Sequence, residues 1–588
     1  MKPQPLRFLP FLAFLFVAAA PLIPAQAQSQ NLYDWAWVSR LGATALPGQG
    51  QSVVPPSFSG LTESLAADAT GNVFIAGAYN ADFIFDGPLP YYQAASGPLG
   101  PLLNSYVAKY TPSGVLAWSL NLTSNSDVGV TDLALDAAGN AYVVGSYYQQ
   151  LRINGTVVTL ASTGRSFFLA KISPAGVPAW TTTIEPDAAS ATSSALTLSR
   201  LAVDALGNSV VQGEFTAAVT INGATFAGAS NRSHVLLVRH DAQGTPAGSF
   251  AGYTVQGTTL ERGFTGVALA STGDVYLGGY VKPAATLQFG SLPAVTGPTA
   301  GNAAGFVVKV AANNTAAWAV KTTGPGSQSV DDLAIGPQDR CYAVGGLVGS
   351  SMGLNTQALG TGNAAGATAK DIFLARIAPS GAVESLVGGG RTNKVWGLSI
   401  GPQGEASFCT AGGLTWGNVR LPGAAWPTAS LTGLVQLDAT GVPQRGWQAG
   451  IGFYAAAMAV DGLNRPVLAG TYGGPSPFGF GTQQRTSPYA WNTLIARTAA
   501  TVLASRAAAE VAGLEVYPNP ARAVVAVRTA QGGPATVELL DALGRRVRAQ
   551  RLGAGQTQVD VAGLAPGAYT LRVQQGAARS YRRLVVAP

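Results

Sequence analysis

One unit of about 66 residues recurs along most of this chain, and that repetition constrains the fold more than any single motif. The unit is clearest at 131–184. It opens with TDLALDAAGNAYVVGSY (131–147), passes through a variable stretch containing ING (153–155), and closes with SFFLAKISPAGVPAW (166–180). The opening block returns as LAADATGNVFIAGAY (65–79) and LAVDALGNSVVQGEF (201–215), and more loosely at 264–280, 330–347, 395–414 and 455–472. Turn positions fall at Gly71, Gly139, Gly207, Gly273, Asp339, Gly404 and Leu463, spaced 68, 68, 66, 66, 65 and 59 residues. A fixed period of this length signals one supersecondary unit stacked on its neighbours.

Each unit reads as four strands. In the second, LALD is strand one and Asp136 to Asn140 a tight turn, where Asp bonds its own backbone and Gly takes positive φ. YVVG is strand two, FFLAKI strand three, Pro-x-Gly the next turn, and PAWTT strand four. Several strands are apolar on both faces, as in sheets packed on two sides. Four-stranded units in radial repetition give a β-propeller. The seventh unit ends at 491–497 without a fourth strand, and an orphan strand, 33–40, precedes the first. Pairing the two would join the ends of the ring and remove two free sheet edges. The expected fold is therefore all-β: a seven-bladed β-propeller over residues 28–498, closed by its N-terminal strand. The repeat wording resembles the seven-bladed bacterial repeats called SBBP repeats, across roughly 31–498, although units here are longer and units five to seven lose parts of the Asp-x-x-Gly-Asn turn.

The remaining segments concern delivery. Lys2 and Arg7 precede an apolar stretch, 8–23, and Ala25 and Ala27 place small residues before a cleavage site at Ala27. Residues 1–27 read as a signal peptide. No later stretch approaches the roughly 18 apolar residues of a spanning helix, so no transmembrane helix is expected in the mature chain. Residues 499–513 form an Ala-rich linker. The tail, 514–588, carries Tyr517-Pro518-Asn519-Pro520, then VELLDALGRRV (537–547) with Gly544, then LAPGAYTLRV (564–573) with Gly567 and Tyr569, then RRLVV (582–586). This order closely resembles the C-terminal sorting domain of type IX secretion cargo. The resemblance implies an Ig-like β-sandwich, type IX secretion machinery as partner, passage through the periplasm, and a secreted or outer-surface destination.

Composition excludes other classes. Hydrophobic residues make up 47% and charged residues only 11%, with 74 Gly and 36 Pro, which favours many short strands and rules out a disordered chain. The net charge of +7 dissolves on division: residues 514–588 hold ten Arg against four acids, while 28–513 has 23 basic and 24 acidic residues. No basic footprint supports nucleic-acid binding. Cys341 and Cys409 fall on strands of adjacent repeats. Stacked sheets lie about 10 Å apart and a disulfide needs Cα atoms within about 7 Å, so both are expected as buried free thiols.

Catalytic and metal constellations do not emerge. His234 and His240 share one strand at a spacing unlike metal ligands. Asp68, Asp136, Asp204 and Asp461 read as turn formers, since Ala and Gly fill most neighbouring positions where a calcium loop needs oxygen ligands. No catalytic residue, metal or cofactor is assigned. A basic residue recurs in strand three (Lys109, Lys171, Arg239, Lys309, Arg376, Arg497, with Gln436 the exception), and its charge is expected in solvent above a packed stem. Glu214 stands out as an acid where Ala78, Ser146, Gly279, Gly346, Gly413 and Thr471 are read as its equivalents. Long connections at 88–104, 296–305, 354–370, 422–431 and 473–489 share one face and carry the non-repeating aromatics Tyr91, Tyr92, Trp426, Phe478 and Tyr489. Loops on a rigid scaffold often bind ligands, and aromatics stack on sugars or peptides. The expected function is a surface or secreted binding or adhesion module for glycan or protein ligands. The alternatives are an exported propeller-fold enzyme acting on polysaccharide, as lyase or hydrolase, and a structural matrix component.

Overall fold

The computed structural model describes residues 35–43, then 64–499 with breaks at 81–82, 86–90, 93–95, 98–99, 159–164, 185–195, 222–223, 229–232, 257–262, 299–301, 361–369, 393, 412–413, 418, 422–431, 450–452, 474–477, 481–482 and 486–490, then 511–587 with breaks at 512, 531, 542–545 and 577. The chain divides into two compact units, Met1–Ala500 and Thr501–Pro588. Regular structure among the described residues is almost entirely antiparallel strand, so the chain is all-β.

In the larger unit the repeat is a four-stranded antiparallel run. Val128–Leu135, Ala141–Tyr148, Arg165–Ile172 and Pro178–Ile184 pair in sequence order. The same order recurs in the sheets whose first strands are Ser64–Ala67, Leu196–Val203, Phe264–Leu269, Ser327–Ile335 and Lys394–Ile400. The last sheet, beginning with Phe453–Val460, takes its fourth strand from the other end of the chain: Trp35–Ala43 pairs with Trp491–Thr498, Val38 opposite Ala496. Each first strand packs on the first strand of the next sheet, and Phe453–Val460 packs on Ser64–Ala67.

The apolar core lies between sheets rather than at one centre. Val143, Phe168 and Ala170 of the second sheet pack with Phe74, Val107 and Leu120 of the first. Trp37, Val467 and Ile495 of the last sheet pack with Val73, Ile75 and Tyr106 of the first. Both faces of each central strand are therefore covered, which is why those strands lack alternation in sequence. The second clasp between sheets is the small hairpin of the two–three connection. Arg152–Ile153 pairs back onto Leu116–Thr123 of the preceding sheet, and Phe83–Phe85 pairs in the same way onto Trp35–Ala43.

The recurring strand-three cation forms a third clasp, which corrects the expectation that its charge reaches solvent. Lys109 Nζ donates to the Pro174 carbonyl (3.1 Å), Lys309 Nζ to Pro379 (3.0 Å) and Arg376 to Ala439 (3.0 Å), each acceptor lying in the three–four turn of the next sheet. Arg239 donates to Asn314 Oδ1, the Gly273 carbonyl and the Ala311 carbonyl of the following sheet. Strand-four tryptophans reach the same turns: Trp118 Nε1 to Pro174, Trp180 to Ala242 and Trp318 to Pro379. The turn glycine lies against the indole face, so a Cβ at Gly176 would stand 2.8 Å from Trp118.

Four of the one–two turns are Asx turns. Asp136 Oδ1 accepts from the Ala138 and Asn140 amides, and Asp68, Asp204 and Asp461 do the same in their own loops. In the seventh repeat the left-handed position belongs to Asn464 (φ 58°), not Leu463, since Asn464 makes the backbone bond to Asp461 that Gly71 makes to Asp68.

The smaller unit packs a three-stranded sheet (Glu515–Tyr517, Val524–Arg528, Gln558–Asp560) on a four-stranded one, ordered Arg546–Leu552, Ala535–Leu540, Gly567–Gln575, Ala578–Val586. Val525, Val527, Val537, Leu539, Leu571, Val573 and Leu584 fill the space between. Val511 is already part of this core, and its amide donates to Ser580 Oγ (2.9 Å).

Candidate functional site

The first strands of the larger unit do more than pack. Most slip register by one residue near the middle, between Val130 and Asp132, Leu198 and Arg200, Val330 and Asp332, and Ala455 and Ala457. Such bulges bend the strand and re-aim side chains. Strand two answers each with glycine: a Cβ at Gly145, Gly213, Gly345 or Gly470 would collide with the first-strand carbonyl of Gly129, Thr197, Ser329 or Tyr454.

The residue after the bulge carries the chemistry. Asp132 accepts from Ser64 Oγ (2.7 Å) of the preceding sheet, from its neighbour's amide at Leu133 (2.9 Å), and from the Leu201 amide (2.8 Å) of the following sheet. Asp332 accepts from the Leu333 and Leu398 amides. Burial pushes both carboxyls above the ordinary carboxylate value, and the Arg200 guanidinium pulls both back down. Arg200 is exposed, and the two carboxyls it acts on belong to sheets that are not neighbours.

The starts of the first strands line the same end as the long connections. Thr197, Lys394 and Tyr454 are exposed there, Tyr454 by 49%. Asp331 is half-buried, its carboxyl raised by burial against the opposing pull of Lys370 and Lys394. Lys370 Nζ reaches Ser329 Oγ (3.5 Å), and Lys394 lies over the Trp396 ring at 5.4 Å. Glu214, half-buried, accepts from Ser233 Oγ at 2.5 Å, and Arg165 donates to Ser146 Oγ (3.2 Å). This rim combines an aromatic ring, cations, carboxylates and hydroxyls on rigid strands, a set able to hold hydroxyl-rich or charged ligands. The ladders also revise the comparison that singled out Glu214. Its register equivalents include Tyr280 and Ala411 rather than Gly279 and Gly413, and Tyr280 shows that the position is not uniformly small.

Of the loop aromatics, Tyr92 is half-buried, its hydroxyl 2.7 Å from Ser119 Oγ and its ring against Tyr79 and Phe85. Tyr91 and Phe478 fall in the short strands Tyr91–Tyr92 and Phe478–Phe480, with side chains outside the description. Trp426, Tyr489 and Ala27 lie outside the described residues, as does Gly544. His234 Nδ1 accepts from the Thr254 amide (3.0 Å) and its ring packs on Phe215 and Tyr253. His240 is buried, which lowers its pKa to about 4. Cys341 and Cys409 are free and buried. No group of three or more His, Cys, Asp or Glu placed to hold a metal occurs among the described residues.

In the smaller unit the Tyr517-Pro518-Asn519-Pro520 motif seals a sheet edge. Asn519 Nδ2 donates to the Arg583 carbonyl and Asn519 Oδ1 accepts from the Val585 amide, both at 2.8 Å, so one amide side chain mimics a neighbouring strand. Ala521 continues the seal, bonding the Val585 carbonyl and the Ala587 amide. Arg528 lies over the Tyr517 ring (5.4 Å). Gly567 opens the strand Gly567–Gln575, and Tyr569 donates its hydroxyl to the Ala565 carbonyl (2.8 Å).

Residues 515–587 match the secretion system C-terminal sorting domain. The tail thus marks the chain for type IX export, to the cell surface or beyond it. No helix among the described residues is long and apolar enough to cross a membrane. No curated protein matches the chain. Similar solved structures include a Bacteroides caccae protein of unknown function, at 12% identity over 58% of this chain and 89% of that one, TM-score 0.30. A virginiamycin B lyase from Staphylococcus aureus aligns at 10% identity over 79% and 100%, TM-score 0.29. A rhamnogalacturonan lyase aligns at 10% identity over 74% and 71%, TM-score 0.28. Likenesses this faint fix neither fold nor activity, which rest on this chain's own residues.

Proposed function

We propose that residues 28–498 form a seven-bladed β-propeller closed by the N-terminal strand, exported behind a signal peptide (1–27) and carried outside by an Ig-like sorting domain at 514–588, with 499–513 as linker. In this reading the mature protein is a surface or secreted binding module for a glycan or protein ligand and works without a cofactor. The repeat is SBBP-like. The ligand sits at the rim where the first strands begin, close to Glu214, with Tyr91, Trp426, Phe478 and Tyr489 of the long connections around it.

The observation that carries the reading is the rim itself. Tyr454, Lys394 and Thr197 are exposed at non-repeating positions of strands whose other residues are fixed by packing. A scaffold needs none of the three there, and an exposed aromatic at the same end of the sheets as a cation and a hydroxyl suits sugar stacking. A glycan-array screen of the whole protein tests it. Binding abolished by Tyr454→Ala in a protein with an unchanged melting temperature supports the rim, and binding unaffected by that change moves the site elsewhere.

One observation favours a polysaccharide-cleaving enzyme as the second reading. Asp331 is held above the ordinary carboxylate value at the rim, as a general acid would be. Release of shortened or unsaturated oligosaccharides that stops with Asp331→Asn would replace binding by turnover.

A further inference from the structure

We infer that the sorting domain is recognised through the outer face of its four-stranded sheet, and that the partner is an acidic surface of the export machinery with an apolar seat for Tyr581. The inference rests on the tail being the export signal and names the surface that serves it.

The two edges of that sheet are occupied. The last strand, Ala578–Val586, is sealed by Asn519 and Ala521 along its C-terminal half and receives the Val511 amide on Ser580 Oγ. The opposite edge, Arg546–Leu552, is tied to the other sheet: Arg548 donates to the Asp560 and Ala562 carbonyls, and Gln550 bonds both Gln558 and Asp560. Strand addition by a partner is therefore blocked at both ends. The inner face is the core. Recognition is left with the outer faces.

The two outer faces differ in charge. Residues directly opposite in an antiparallel ladder share a face. Arg551, Thr536 and Gln574 form one row of the four-stranded sheet, Ala549, Glu538, Arg572 and Tyr581 a second, and Leu540, Thr570 and Arg583 a third. Tyr581 (50% exposed), Arg551 and Arg583 are all open to solvent, and Val547 at the bulge of the edge strand is 42% exposed. The one acid in these rows, Glu538, is spent on Arg572 and Arg546. Arg551 and Arg583 keep their charge on the same face as the open Tyr581 ring. On the three-stranded sheet, Arg528 is matched by Glu515 opposite it, and Asp560 is paired with Arg548 (3.2 Å). Among the described residues this face carries Arg546, Arg551, Arg572 and Arg583 against Glu538 alone, and aromatic and Arg side chains together are what interface centres favour. Long-range attraction would orient the domain before contact.

The experiment is export of the full-length protein in its own host, comparing the unaltered chain, the triple variant Tyr581→Ala, Arg551→Glu, Arg583→Glu, the double variant Arg551→Lys, Arg583→Lys, the opposite-face variant Arg528→Glu, and a chain lacking 511–588. The inference expects the triple variant to stay in the periplasm while the Lys and Arg528→Glu variants reach the surface. Purified triple variant should keep both thermal transitions of the unaltered protein. A triple variant that is exported normally while the truncated chain is trapped overturns the face and leaves the sorting role standing. A truncated chain that is exported normally overturns the sorting role itself. Unaltered protein that binds phosphatidylglycerol vesicles through these residues, with export indifferent to them, would assign the face to lipid and overturn the protein partner.

Discussion

The Trp37 indole nitrogen donates to the Pro112 carbonyl at 3.1 Å, joining two residues 75 positions apart. Trp118, Trp180 and Trp318 make the equivalent bond to the turn of the next sheet. Trp37 lies on the strand that completes the last sheet, and Pro112 in the three–four turn of the first. The contact that links one sheet to the next therefore also links the last to the first. Arg497 adds the recurring cation, its guanidinium over the Trp37 ring at 5.5 Å.

Loss of this strand should cost far more than loss of a loop of equal length. Trp35 and Trp37 are both buried, and each large apolar side chain is worth about 1.5–3 kcal/mol. Deleting 31–41 should lower the melting temperature of the larger unit sharply or abolish its folding. Trp37→Ala alone should cost about 3 kcal/mol. Calorimetry checks both, and an unchanged melting temperature for the deletion would mean the last sheet does not depend on this strand.

Two glycines at the same φ, one in a three–four turn and one in a two–three hairpin, offer a controlled comparison. Gly176 (φ 81°) lies 2.8 Å, measured to a hypothetical Cβ, from the Trp118 ring, whereas Gly155, also at φ 81°, has nothing within 4 Å. Gly155→Ala should cost only the left-handed penalty, about 1 kcal/mol. Gly176→Ala adds overpacking of the indole, for a total of about 2–4 kcal/mol. Denaturant unfolding of the two variants measures the difference, and equal losses would remove the Trp–Gly contact as a cause.

His240 sets an acid limit. Burial lowers its pKa from 6.5 to about 4, with the Asp241 carboxylate pulling weakly the other way. A group whose folded pKa is depressed contributes fully above its unfolded value, so stability is intact above pH 6.5. It falls as pH drops from 6.5 towards 4, by roughly 3 kcal/mol in all at about 1.4 kcal/mol per pH unit. His240→Leu should flatten the pH 4–6.5 limb of the stability profile, and a limb of unchanged steepness would assign it to other groups.

The clamp at Asn519 is equally direct. Asn519→Ala leaves the Arg583 carbonyl and Val585 amide without their partner, a loss of about 1–2 kcal/mol. Asn519→Asp keeps the acceptor and loses the donor, so its cost should be smaller. Hydrogen exchange along Ala578–Val586 should accelerate in the first variant, and unchanged protection there would show that Ala521 alone holds the edge.

Much of the scaffold was legible because repetition exposes it. The Asp136 to Asn140 turn, the two-faced apolar strands and the orphan strand around Trp35 and Trp37 each carry local chemistry that reads without a structure. What the strand-three cation touches did not read. Lys109 and Pro174 are 65 residues apart, and nothing in either sequence neighbourhood names the other. The rim was invisible for a related reason. Thr197, Lys394 and Tyr454 stand at the ends of ordinary strands, and only the placement of the first strands brings them to one end of the unit. The available signal was their departure from the repeat, which was sought in the loops and in strand two rather than in strand one.

The rim prediction follows from that placement. If ligand binds there, Tyr454→Ala and Lys394→Ala together should abolish binding of whatever glycan or peptide the screen returns. A few anchors dominate most interfaces, and an exposed ring beside a cation is the usual kind. Tyr92→Phe removes only the hydroxyl that meets Ser119 and should leave affinity intact. Lys171→Met and Arg239→Met should lower stability without changing affinity, because Lys171 faces Asp136 (3.5 Å) and Arg239 is spent on Asn314, Gly273 and Ala311. Titration calorimetry and melting curves on the same four proteins separate these outcomes. Affinity lost in the Lys171 or Arg239 variant while the rim variant still binds would move the ligand from the rim to the short-turn end of the sheets.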